Sequence, residues 1–320
     1  MNKPILSICI ATYNRSDYIS ETLNSIIPQL DDDTELLIVD GASTDHTQNI
    51  VEEFVKKDSR IRYIRLATKG GVDQDYDKSV ELARGEFCWL FTDDDLLKPG
   101  AISAVKELLP KGYDLIIVNA EVCNKDLSKV IESHRVKIQK NKLYFPDDTD
   151  NFFIDVINHI SFIGAVVIRR SVWLDRNRES YFGTDFIHVG VIFEKKIKTP
   201  ILVMSDPFIS IRWGNAQWSP RGFDIWMFKW PKLIWSFNII SSEAKHRIIN
   251  PEPWRSLKFI AFQRRMGHYS MQSYKTYLSK QKINYGLRIF YLIIAIFPRK
   301  LFSFIYDFLY KIKNKKSQNY

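Results

Sequence analysis

Cysteine is scarce in this chain: Cys9, Cys88 and Cys123 are the only three in 320 residues. Odd in number and far apart, they exclude a disulfide framework and a cysteine-based metal cage, and they fit a reducing compartment. Glycine is absent from the first 20 residues, which argues against the amino-terminal glycine-rich phosphate loop of enzymes that build nucleotide-activated sugars. Long apolar runs are missing too. Residues 289–297 are apolar throughout, but as a helix they span only about 14 Å, against about 30 Å of hydrocarbon. The opening apolar run, residues 5–11, passes into Thr12-Tyr13-Asn14-Arg15 with no small-residue cleavage pattern, so the expected location is cytoplasmic. No internal repeat or low-complexity linker is present.

Charge is unevenly placed. Of a net +9, the tail from Arg299 onward carries +5, with six basic residues against Asp307. The body is only mildly basic, which argues against a nucleic-acid binder. At 45% apolar and 26% charged the chain reads as folded, long enough for one large α/β domain with a smaller appendage.

Up to about residue 120, strands and helices alternate. Strand-like apolar runs occupy residues 5–10, 35–39, 61–66, 87–91 and 114–118. Helical spacing links Ile19, Leu23, Ile26, Ile27 and Leu30, then Ile50 to Val55, then residues 75–83. A further helix carries Ile102, Val105, Leu108 and Leu109, with Pro99 expected in its first turn. This rhythm predicts a mostly parallel sheet with helices on both faces. Residues 121–160 read as polar and less regular, 162–168 and 202–212 as two more strands (the second interrupted by Pro207), and 250–280 as helical.

Ligands of an open parallel sheet bind beyond the strands' carboxyl ends. Three polar clusters fall there: Thr12-Tyr13-Asn14-Arg15, Asp40 to Asp45, and Thr92-Asp93-Asp94-Asp95. Three adjacent carboxylates repel one another. A hard divalent cation, Mg²⁺ or Mn²⁺, offsets that repulsion and shares its other positions with phosphate oxygens; a solvated acidic turn before a helix is the plainer alternative. Asp40 is placed to accept hydrogen bonds from a base or ribose, or else serves an Asp-Gly turn. Thr12, Tyr13 and Arg15 are placed to line a nucleotide pocket, or else form a helix entry capped by Asn14 or Ser16.

With their order and spacing, Ala11 to Arg15, Asp40 to Thr47, Ala83 to Phe87 and Phe91 to Asp95 resemble the motif series of family-2 glycosyltransferases of GT-A fold. The resemblance is strong over residues 4–120 and fades beyond 215. It implies sugar transfer from a nucleotide-sugar donor, with Thr12, Tyr13, Arg15 and Asp40 at the nucleotide. Asp93 and Asp95 would form the metal-binding DxD pair, Asp95 the direct ligand, with Asp94 nearer the ribose or sugar. Two positions depart from the family pattern, Ala11 for proline and Thr92 for an acid. The resemblance also implies a general base at Asp185, in a motif with Thr184 where the family often has glutamate; a helix amino terminus around Thr184 is the alternative. His188 is expected to be structural or an acceptor contact.

The Arg212-Trp213-Gly214-Asn215-Ala216-Gln217-Trp218 loop suggests Arg212 closing on a diphosphate and Trp213 or Trp218 stacking on a sugar; a surface loop over packed aromatics is the other possibility. This loop and residues 70–77 most resemble bacterial O-antigen abequosyltransferases. That implies a CDP-linked dideoxyhexose donor and a lipid-linked oligosaccharide acceptor. A transfer that retains configuration would assign the carboxylates differently, so Asp185's role depends on stereochemistry. The expected layout is a catalytic domain at 1–215, an acceptor-side helical region at 216–284, and a basic amphipathic tail at 285–320. Leu301, Ile305, Phe308 and Ile312 recur at helical spacing, with Phe304 and Leu309 beside them. The tail is read as lying on an anionic membrane surface, a helix packed on the domain or on another subunit being the alternative. A non-catalytic membrane-bound scaffold is the rival of a different class.

Overall fold

The opening apolar run becomes β1, Leu6–Thr12, in the computed structural model, which describes residues 3–304 and 306. It leads to α1, Ile19–Ile26, whose Ile19, Leu23 and Ile26 fall on one face and are fully buried. There follow β2 (Thr34–Asp40), α2 (Thr47–Lys57), β3 (Ile61–Arg65), α3 (Val72–Leu82) and β4 (Phe87–Phe91). Every residue of β2 and β4 is buried, as expected of strands covered on both faces. Leu6, Ile8, Ile10, Leu36 and Ile38 pack with α1 and with Val51 of α2. On the opposite face the Cys9 thiol lies 3.9 Å from the Ser79 carbonyl of α3.

The short β5 (Leu96–Leu97) precedes α4 (Ala101–Lys106). Gly100, at φ +80°, supplies the left-handed turn into α4, so Pro99 lies just outside the first helical turn rather than in it. Then come β6 (Leu115–Cys123), β7 (Val130–Glu132), β8 (Lys142–Tyr144) and α5 (Thr149–Ile160). The segment read as irregular thus contains a helix, held by buried Phe152, Phe153, Val156, Ile157 and Ile160. The expected strand at 162–168 is shorter: a 3₁₀ turn at Ile163–Ala165 opens β9 (Val166–Arg169). After α6 (Arg170–Leu174) and α7 (Ile187–Glu194) the long β10 (Ile201–Arg212) closes the sheet, with register shifts around Pro207.

Strand order is β3-β2-β1-β4-β9-β6-β10-β5. The pairs β3–β2, β2–β1, β1–β4 and β6–β10 are parallel; β9 runs antiparallel between β4 and β6. This is the expected α/β class, with an antiparallel strand in its middle that the run of strands and helices did not announce.

The described residues divide into two compact units: those up to 215 with 237–248, and 216–236 with those from 249 on. Residues 237–248 return to the first unit after the chain has entered the second. The second unit has its own core, in which Phe223, Trp254, Ile260 and Tyr269 meet Tyr291 and Ala295 of the helix Tyr285–Ile296. Among the described residues no helix is long and apolar enough to cross a membrane.

Two histidines are locked inside the first unit. His159 and His188 each donate from Nε2 to a carbonyl, of Val118 and Ile160, at 2.8 Å. Burial drives the pKa of each down to about 4. Both are therefore neutral in the fold at pH 7. Since the folded value lies below the unfolded one, the unfolded chain takes up protons first as pH falls through about 6.5. The stability present at neutral pH is then lost until about pH 4. At pH 5 each histidine is expected to remove about 2 kcal/mol. Urea unfolding of His188→Gln at pH 7.5 and pH 5 should show that dependence shrunken by about this amount.

Candidate active site

From β1 the chain steps outward through β2 and β3, then returns to the other side of β1 as β4. The reversal point between β1 and β4 is where an open α/β sheet leaves a crevice. The carboxyl ends of these two strands carry Thr12 to Arg15 and Thr92 to Asp95.

The first loop is knitted to the one after β2. The amides of Asn14, Arg15 and Ser16 donate to Ser43 Oγ (2.9 Å), Thr47 Oγ1 (2.8 Å) and Asp45 Oδ2 (3.1 Å). Asn14 adopts φ +53° and accepts from the Thr44 amide at 2.7 Å. Neither Asn14 nor Ser16 caps α1; Tyr18 holds the cap position and contributes no side-chain bond. The Tyr13 ring lies 3.4 Å beneath the Lys69 ammonium. Thr12 is buried, and its carbonyl accepts from the Gly41 amide at 2.9 Å. Asp40 is fully buried: Oδ1 accepts from the Ser43 amide (2.7 Å) and Oδ2 from the Tyr63 hydroxyl (2.6 Å).

The three carboxylates after β4 are all buried, 3–8% exposed. Arg15 spans two of them, Nε to Asp93 Oδ1 at 3.0 Å and Nη2 to Asp94 Oδ2 at 3.1 Å, and its Nη1 reaches the Asn215 carbonyl at 3.3 Å. Asn215 in turn donates to Asp94 Oδ2 at 2.7 Å. Asp95 accepts from the Thr92 hydroxyl and, at 2.7 Å, from the Arg212 amide. The departure at position 92 therefore puts a donor where a fourth acid would add repulsion. Burial pushes the Asp93 carboxyl up to about 7 despite Arg15, and raises Asp94 and, more strongly, Asp95. One guanidinium does not balance three buried acids. Hard oxygen donors short of positive charge suit Mg²⁺ or Mn²⁺, which take a few protein carboxylates and fill the rest with water and phosphate. Among the described residues no group of three or more acids, histidines or cysteines is arranged so that it could hold a metal ion by itself.

Arg212 is bonded to protein groups on every side of its guanidinium. Its Nε donates to the Asp94 carbonyl (2.9 Å), Nη1 to the Lys125 carbonyl (2.8 Å) and Nη2 to Glu21 (2.6 Å), and the residue is only 7% exposed. In this arrangement the guanidinium braces the acidic turn through the Asp94 and Lys125 carbonyls and Glu21. Arg212→Ala is expected to lose about 3 kcal/mol in urea unfolding, because two backbone carbonyls lose their donor, and Arg212→Lys should not restore the fork.

Trp213 is 54% exposed beside this corner in sequence. Trp218 falls in the second unit, packed edge-on against Trp226 and tilted to His268. Asp185 sits at φ +68° just before α7, and Thr184 fastens the turn locally by donating to the Tyr181 carbonyl (2.7 Å) and accepting from the Phe186 amide (3.1 Å).

The profile of Glycosyl transferase family 2 matches residues 7–173, just over half of the chain and the span that carries Thr12 to Arg15 and the acid triplet. The chain belongs to glycosyl transferase family 2. A curated relative, the abequosyltransferase RfbV of Salmonella typhimurium, is 28% identical over 233 residues, covering 68% of this chain and 69% of that protein. The GalNAc(5)-diNAcBac-PP-undecaprenol beta-1,3-glucosyltransferase of Campylobacter jejuni is 32% identical over 117 residues, 36% of this chain and 38% of its own length. Among solved structures, S. aureus TarS 1-349 in complex with UDP aligns over 88% of this chain and 76% of its own, with TM-score 0.55 and 16% identity. The mannosyltransferase PcManGT of Pyrobaculum calidifontis, solved with GDP-Man and Mn²⁺, aligns over 92% and 86%, with TM-score 0.50 and 18% identity. These likenesses fix the fold as GT-A, and the family fixes the activity as glycosyl transfer.

Proposed function

We propose that this family-2 glycosyltransferase moves a sugar from a nucleoside diphosphate donor to a lipid-linked saccharide at a membrane surface, in bacterial surface-polysaccharide synthesis. The observation that carries the donor reading is the acidic corner at the β1–β4 reversal, where Arg15 stands against Asp93 and Asp94. The similarity to RfbV over two thirds of both chains favours a CDP-linked dideoxyhexose.

Asp93 and Asp95 would hold a divalent cation, and Asp94 the ribose or sugar. When bound, that cation supplies positive charge to the leaving diphosphate. Thr12 and Tyr13 would wall the nucleoside. Asp40, tied to Ser43 and Tyr63 through one bond on each oxygen, would shape the base pocket, and its remaining lone pairs would meet a base or ribose. Arg15, engaged with the acids in the donor-free protein, would turn to the phosphates once they arrive. Trp213 offers an exposed ring for a sugar face. In a transfer that inverts, the acceptor hydroxyl attacks the anomeric carbon, the bond to the diphosphate breaks, and Asp185 takes the hydroxyl proton.

For the membrane, the helix Tyr285–Ile296 buries Tyr291 and Ala295 but leaves Ile289, Phe290, Ile293 and Ile296 exposed, followed by Leu301 and Phe304. Exposed Arg299 and Lys300 lie between the two apolar groups. Apolar residues with flanking cations fit an anionic lipid surface. The remainder of the expected stripe, Ile305, Phe308, Leu309 and Ile312 with Lys311 to Lys316, lies outside the described residues.

A thermal-shift panel of CDP, UDP, GDP and dTDP, each with and without Mn²⁺, tests the donor reading. One nucleotide, CDP on this account, should raise Tm by several degrees only with the metal. No shift with any of the four would defeat it.

A further inference from the structure

α3 begins immediately after Gly70-Gly71, and its first turn carries two buried acids that face different neighbours. Asp75 points back to the nucleotide side: Oδ1 accepts from the Gly70 amide at 3.2 Å, and its carboxylate is so close to Gly41 that a Cβ there would meet Oδ2 at 2.6 Å. Asp73 points to the segment before α7. Its Oδ2 accepts from the Asp185 amide and its Oδ1 from the Ile187 amide, both at 2.9 Å, across more than a hundred residues of sequence. We propose that Asp73 is the positioning residue of this transferase, fixing the orientation of the loop that presents Asp185. The inference rests on the reading of Asp185 as the general base.

Three observations support it. Ile187 is the first residue of α7, and Phe186 at the cap position gives no side-chain bond, so the open amide at this helix end is satisfied by Asp73 from another helix. Asp185 is held at φ +68°, a left-handed conformation that a non-glycine residue keeps only when its surroundings enforce it. Thr184 already closes the turn locally, so the tie to Asp73 adds registration of the loop against α3. The arrangement is not a cheap one. Asp73 is 4% exposed, and burial lifts its carboxyl to about 6 although it accepts from backbone amides. A local serine or asparagine would cap α7 without burying a charge. One helical turn thus lies against both the loop after β2 and the loop that carries Asp185, and on the proposed reading it sets the spacing between donor and base. A displacement of about 1 Å in such a pair can lower turnover by about 10²-fold.

The test is a double-mutant cycle on the full-length protein, with Asp73→Asn, Asp185→Asn and the pair, following release of nucleoside diphosphate from CDP-, UDP-, GDP- and dTDP-sugars with Mn²⁺. Asp73→Asn is expected to lower kcat by about 30- to 100-fold with donor KM changed by less than about twofold. In the Asp185→Asn background it should change kcat no further, because it acts through that residue. Asp73→Asn at wild-type kcat beside an inactive Asp185→Asn overturns the positioning role alone. Asp185→Asn at wild-type kcat overturns the base reading and this inference with it. Amide exchange on the wild-type protein needs no variant: the amides of residues 185 and 187 should be protected, and exchange at open-loop rates would refute the tie.

Discussion

Asp93→Asn is expected to cut sugar transfer by about 10³-fold or more while leaving Tm within a few degrees of the wild type. The reason is a division of labour inside the acid triplet. Asp95 has its oxygens engaged by Thr92 and the Arg212 amide, so Asp95→Ala combines lost function with an orphaned buried amide, at about 1 to 3 kcal/mol. Asp93 meets Arg15, and an asparagine oxygen still accepts there. The substitution also relieves repulsion among three buried carboxylates, which compensates for the weakened ion pair. The pair of measurements separates roles: activity falls in both variants, stability chiefly in Asp95→Ala. A Asp93→Asn protein that keeps a tenth or more of wild-type turnover would place the chemistry elsewhere.

Charging the exposed face of the helix Tyr285–Ile296 is the second large expected effect. Ile289, Phe290 and Ile293 are about half exposed while Tyr291 and Ala295 hold the helix to its own unit. The triple change to aspartate therefore leaves the core contacts in place. Half-burial of each side chain in the lipid interface is worth about 1 kcal/mol, so removing three weakens partition by about 10²-fold before repulsion from anionic lipid is added. Co-sedimentation of the full chain with vesicles of phosphatidylcholine and phosphatidylglycerol (7:3) checks it. Wild-type binding should fall with added salt, and the triple variant should stay in the supernatant. Equal sedimentation of both would assign this face to another occupant, a second copy being the first to examine by its oligomeric state.

Much of the fold was legible because its strands are buried on both faces. Runs such as Leu36 to Val39 and Phe87 to Phe91 have no other use in a soluble core, and the helices between them carry plain 3.6-residue spacing. α5 was legible in principle from Phe152, Phe153, Val156, Ile157 and Ile160, but the polar stretch before it dominated the reading. The antiparallel insertion of β9 could not be read, since nothing in Val166 to Arg169 names its neighbours. At the site, the sequence reading brought Thr12, Arg15 and the Asp triplet to one sheet edge, and the fold places them there. It did not show the acceptors of Arg212, because those acceptors, here the carbonyls of Asp94 and Lys125 and the carboxylate of Glu21, are set by tertiary approach. It also missed Asp73. A buried carboxylate serving amides more than a hundred residues away leaves no local signature.

Donor binding at this corner requires positive charge from a divalent ion beyond what Arg15 supplies. Calorimetric titration of the wild type and Asp93→Asn with CDP, in Mn²⁺ and again in EDTA, addresses this most directly. CDP should bind the wild type at least about 30-fold more tightly in Mn²⁺ than in EDTA, about 2 kcal/mol, and Asp93→Asn should show little difference between the two. Equal affinity in Mn²⁺ and EDTA for the wild type, with CDP bound in both, would contradict it.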